Sequence, residues 1–246
     1  MSDEHRRAFE RKLVHHCTPT LAGLKPANLF TCPPEALAQA AAADGGGTDG
    51  AGGAAAATAS PTPEELFRDA LRAAREKLAP QGVRIEVLAR RSTGRLLYVY
   101  RPQMVKEQIG EPRAAAFLAA EGYDTASLSA CIMRLHRRIC GTDLHSTLSG
   151  GCSFPHEIGL FLGYPYEDVI GFIENKGENF LCCGCWKVYS RERDAQDCFC
   201  RYKNCTALFE ELYDGGAGIE ELAAVAEDGP AAAALAASLE ELQRAV

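Results

Sequence analysis

The strongest periodic signal lies in residues 62–79. Thr62, Pro63 and Glu65 make a capping-box start, and Leu66, Phe67, Leu71, Ala74 and Leu78 then share one helical face before Pro80-Gln81-Gly82 stops the run. The period then changes. VRIEVLARR and RLLYVYR are β-branched and aromatic runs separated by Ser92-Thr93-Gly94, which predicts a hairpin over 83–101. Helical segments follow at 103–121 and 125–140; the second carries Leu128, Cys131, Ile132, Leu135 and Ile139 at helical spacing and has Gly141 as its stop. In FPHEIGLFLGYPYEDVIGFIENKG, residues 154–177, Pro155 and Pro165 open two short helices, and Gly163 and Gly177 end them. NFLCCGCWKVYS, 179–190, reads as a strand, and a helical stripe from Ala195 to Leu212 places a helix at 191–213.

These elements predict an α+β fold. The hairpin 83–101 and the strand 179–190 make a small antiparallel sheet, covered by the helices at 63–79, 125–140, 155–176 and 191–213. At the N-terminus, residues 4–16 read as a short charged helix, and CTPTLAGLKPANLFTCPP as an ordered loop with little regular structure. One domain is therefore expected from 1–32 and 63–214. Residues 33–62, nearly all Ala, Gly, Thr, Asp and Pro, read as a low-complexity insertion that deletion over 36–60 should show to be dispensable for stability. Residues 215–246 read as an Ala/Glu-rich extension.

Composition narrows the function classes. Thirty-three acidic against 26 basic residues give a net charge of −7, which argues against a scaffold built to neutralise phosphates. A DNA-reading role for the 155–176 helix pair is disfavoured by Glu167, Asp168 and Glu174 on its second helix. No apolar run approaches the ~20 residues needed to span a bilayer, and the start MSDEHRRAFERK is charged, so a cytoplasmic protein is expected. The 11 cysteines are then expected as free thiols, six of them between Cys182 and Cys205. Arg134, Arg137 and Arg138 read as a solvated helix face. GxGxxG, P-loop and GxSxG motifs are absent.

Three constellations could carry function. The loop offers Cys17, Thr18, Thr20, Lys25 and Asn28 within a dozen residues. With His156 and Glu157 at one helix start and Asn175 and Lys176 at the end of the next, it could line a cleft for a small anion. In the same group, a neutral His156 beside Cys17 would be a thiol nucleophile and its base, the signature of a cysteine-dependent enzyme. Second, Cys183 and Cys185 share one face of their strand and, with His15, His16 or Cys17, could hold zinc or iron. Third, the helix pair 155–176 with Trp186, or the C-terminal extension, could serve as a non-catalytic module that binds a protein partner.

HCTPTLAGLKPANLF, RIEVL with LLYVYR, PHEIGLFLGYPYEDVIGFIENKG and GCWKVY together resemble a bacterial domain-of-unknown-function family, over most of 12–32 and 63–213. The resemblance implies a cytoplasmic bacterial protein and assigns no catalytic role. Taken with the residues, the expectation is a cytosolic protein that binds a small anionic ligand or a metal through loop and cysteine side chains.

Overall fold

The structure is a computed structural model that describes residues 3–43, 60–141 and 154–224. Its centre is a three-stranded antiparallel sheet of order β1-β3-β2, made by β1 (Ala27–Cys32), β2 (Arg84–Arg91) and β3 (Gly94–Tyr100). The run LLYVY becomes the middle strand. Leu97 and Val99 face one core while Leu96, Tyr98 and Tyr100 face the other, so an unbroken apolar strand is what burial on both faces demands. A bulge between Val87 and Ala89 lets Leu88 and Ala89 both join the second core.

One face is covered by α1 (Glu4–Leu21), α2 (Pro34–Ala43), α3 (Pro63–Leu78), α9 (Glu192–Asp214) and α10 (Ile219–Ala223). The other face packs against α4 (Pro102–Gly110), α5 (Pro112–Ala120), α6 (Leu128–Ile139), α7 (Ile158–Phe161) and α8 (Tyr166–Glu174). The α+β class holds, and so does the capping box at Thr62 and Glu65. Among the described residues no helix is long and apolar enough to cross a membrane.

Three expectations are corrected. First, residues 179–190 do not join the main sheet. They fold back as a separate hairpin, β4 (Cys182–Cys183) with β5 (Lys187–Val188), and the open edge of β3 is taken by β1 in the register Ala27↔Tyr100 to Cys32↔Arg95. Pro26 and Pro33 bracket β1 and disguise it as loop, but proline outside a strand's ends removes no ladder bond.

Second, α1 does not stop at His16; it runs on through Pro19 to Leu21. It then closes in a Schellman arrangement, with Gly23 left-handed at φ 71, Gly23 N–H donating to Thr20 O and Leu24 N–H to Pro19 O. Pro19 sits in the last turn, where the bond it forfeits is outweighed by burial of Cys17, Thr18, Thr20 and Leu21. The Arg101 guanidinium donates to the carbonyls of Thr20, Leu21 and Ala223, which ties the end of α1 to β3 and α10.

Third, the stretch read as an insertion begins with α2, whose Leu37 is fully buried against α1 and α3. Leu37→Ala is therefore expected to cost about 2–3 kcal/mol in chemical unfolding, the usual price of a core cavity. The sequence allows at most an isolated turn at 36–43; a packed helix stands there, so the expectation that 36–60 carries no buried apolar side chain is corrected at Leu37. Residues 44–59, 142–153 and 225–246 lie outside the described residues. Residues 219–223 likewise belong to the core through Ile219, Leu222 and Ala223.

Candidate functional site

Lys25 follows directly on the Schellman turn. Its N–H and that of Leu24 both donate to Pro19 O, so the proline that lacks a donor supplies the acceptor that fixes the next turn. Pro26 then packs on Gly163, where φ is +78 and an added Cβ would lie 2.4 Å from the proline ring. This contact seats the 22–26 turn against Gly163-Tyr164, between α7 and α8. The Lys25 ammonium comes to 5.0 Å from the centroid of the Tyr164 ring.

A cavity of about 530 Å³ opens at this junction, and Lys25, Asn28, Tyr164, Cys185, Tyr202 and His16 are among its lining residues. Its far wall is aromatic. Tyr164 stacks on Trp186 at 4.9 Å, and Trp186 meets Phe199 edge-on at 4.5 Å. Asp168 holds that wall in place from beneath. Its carboxylate accepts from Trp186 Nε1 at 2.7 Å, from the N–H groups of Tyr189 and Ser190 at 2.8 Å each, and from Ser190 Oγ at 3.0 Å. Asp168, one of the acidic residues that disfavour a DNA-reading role, is buried and organises the β4–β5 hairpin.

Lys25 is 5% exposed, and no described residue accepts a hydrogen bond from its ammonium. Burial lowers it from the usual lysine value to about 8, against the weaker opposite pull of Cys185, Cys17 and Cys198. Burial likewise pushes the Tyr164 phenol up to about 12, so its hydroxyl stays protonated and donates to the Cys185 carbonyl at 3.3 Å. His16 stacks on Phe30 and is lowered by burial, then by His15 and Lys12. Asn28 accepts from Thr20 Oγ1 through Oδ1 at 2.7 Å, which turns its amide nitrogen to donor duty with no described acceptor. The one carboxylate on the lining, Glu210, is engaged by His15 at 2.6 Å.

The expected site residues thus divide. Lys25 and Asn28 share the cavity, Thr20 orients Asn28, and Cys185 sits on the rim. Thr18 is buried and donates to Val14 O. Cys17 is fully enclosed in the first core and its thiol is raised far above the usual range by burial, which removes it as a thiolate nucleophile. His156 lies exposed against Phe172, 4.9 Å between ring centroids. Glu157 is buried in a pair with Arg138 Nε at 2.8 Å and accepts from Tyr123 at 2.7 Å. Arg138 therefore faces inward and not onto a solvated face. Asn175 donates to Gly171 O at the end of α8, and Lys176 is exposed in the turn beyond it.

For the metal reading, Cys183 is exposed across from Lys187 in the small hairpin, and Cys17, wanted as a further ligand, is locked in the core. Among the described residues no group of three or more His, Cys, Asp or Glu is placed to hold a metal ion. The lining also includes residues that the sequence does not mark as site candidates, among them Tyr164, Phe199, Tyr202, Lys203 and Glu210. Tyr164 carried a signal, since it stands immediately after the glycine that receives Pro26.

The fold and this cavity define an α+β protein in which a buried lysine with no carboxylate partner among the described residues faces an aromatic-walled pocket. The chain belongs to the family "Protein of unknown function (DUF3793)", whose model matches residues 13–223 and so includes α2 and α10. No curated protein and no solved structure matches it.

Proposed function

We propose that the chain binds a small organic anion in this cavity, a carboxylate carried on an apolar or aromatic body. The observation that carries this reading is the Lys25 ammonium: buried, facing the cavity, and without an anionic partner in the described chain. An isolated buried charge is costly, and an incoming carboxylate offsets that cost as no side chain here does. The Asn28 amide adds a neutral donor, and Tyr164, Phe199 and Leu162 offer apolar surface for the rest of the ligand.

Calorimetric titration with phenylacetate is the test. Binding at pH 7 should weaken about tenfold or more in Lys25→Met, since a charge-assisted bond is lost. Affinity should also fall as pH rises through about 8, where Lys25 loses its proton. The other titratable groups around it are Cys17, Cys185, Cys198, Tyr164 and Tyr202, with His15, His16 and Lys203 on the wall; the one carboxylate there, Glu210, is paired with His15. Equal affinity in both proteins, or no binding by the native chain, would overturn the reading.

A further inference from the structure

We infer that the Lys25 amine condenses with the carbonyl carbon of its ligand, which makes the ligand class 2-oxo acids and related carbonyl-bearing carboxylates. This rests on the anion reading above and deepens it. The geometry has three parts. The amine is nine-tenths buried yet lines the cavity, so a ligand that enters the cavity reaches it. No carboxylate holds it as an ammonium; its neighbours are thiols and the Tyr164 ring, whose pull toward the charged form is weaker than the effect of burial. The Asn28 amide and the Lys203 ammonium lie on the same lining and can hold the ligand's carboxylate in the chains whose Lys25 is neutral, where the amine no longer pairs with it and faces the adjacent carbonyl.

Burial supports this by lowering Lys25 to about 8, so about a tenth of the amine is neutral at pH 7 and carries a free lone pair. In the step itself, that lone pair forms the C–N bond and the carbonyl π pair moves to oxygen. The oxygen takes the proton that nitrogen gives up, yielding a carbinolamine. The hydroxyl then leaves as water, taking up the remaining N–H proton, while the nitrogen lone pair closes the C=N bond. Amine and ketone become imine and water, with no oxidant or reductant consumed.

The test uses the full chain, phenylpyruvate and sodium borohydride, which reduces an imine to a stable secondary amine. The expected product is one adduct per chain, heavier by the ligand less one oxygen and mapped to Lys25. It should be absent from Lys25→Met, absent from Lys25→Arg, which keeps the charge but offers no amine, and absent when phenylacetate replaces phenylpyruvate. If phenylpyruvate displaces phenylacetate yet leaves no adduct, or labels surface lysines as fast as Lys25, imine formation is overturned while the anion site stands. If neither compound binds, both readings fall together.

Discussion

Asp168→Ala is expected to lower stability by about 4–5 kcal/mol, because one buried carboxylate accepts four hydrogen bonds and its removal strands their donors. The loss should be local before it is global. Asp168 joins α8 to the β4–β5 hairpin, beside the Gly171–Tyr189 packing and the Lys187 bond to Gly177 O, and the hairpin's own ladder is two residues long on each side. Hydrogen exchange at the Tyr189 and Ser190 amides should accelerate first, while amides of the central strand β3 keep their protection. With the hairpin loosened, Trp186 leaves Tyr164 and the cavity loses its wall, so phenylacetate binding should fall together with amide protection. Unchanged exchange at Tyr189 and Ser190 would show that the hairpin is held by other contacts.

The second large effect has the opposite sign. Lys25→Met should raise stability at pH 7 by about 3 kcal/mol, the linkage equivalent of lowering a lysine from 10.5 to about 8. The unfolded chain binds a proton at Lys25 more tightly than the folded one does. Between about 8 and 10.5 the native protein should therefore gain stability from this group as pH rises, and below 8 the full penalty applies. The advantage of Lys25→Met should accordingly be greatest below pH 8 and shrink towards pH 10.5. Methionine fills a similar volume without charge, so packing is largely kept. Urea unfolding of both proteins across this range decides the matter, and a destabilised Lys25→Met would mean that the ammonium has a stabilising partner.

Much of the architecture was legible because local and tertiary demands agree. The Thr62–Glu65 cap, the doubly buried LLYVY strand, and the stops at Gly163 and Gly177 each carry a signal that no neighbour contradicts. Legibility failed where tertiary contacts outvoted local ones. Pro19 looked like a helix end, yet the carbonyls around it are taken up by Arg101, Gly23, Leu24 and Lys25. ANLFTC lacked the bordering signals of a strand and won the β3 edge over 179–190, whose length is consumed in folding back on itself. Leu37 is a single apolar side chain in an alanine-rich stretch, and one buried leucine is enough to anchor α2.

The site was half legible for the same reason. Lys25 and Asn28 stood out by their position in a Pro/Gly-rich segment, and the expectation that this segment leans on the 155–176 helix pair is met at Gly163 and Tyr164. The cavity does not form at His156 or Asn175, because His156 turns to Phe172 and Asn175 closes its own helix. What pattern alone does not convey is that Tyr202 and Phe199, spaced like core residues of α9, line a pocket.

NMR titration of the chain labelled at lysine ¹³Cε tests most directly whether Lys25, a buried cation with the Tyr164 ring beside it and no carboxylate partner among the described residues, takes an anion. The account predicts one lysine titrating near 8, absent from Lys25→Met, with a midpoint that moves upward when phenylacetate saturates the cavity. A Lys25 signal that titrates with the surface lysines near 10.5 and does not respond to phenylacetate would contradict it.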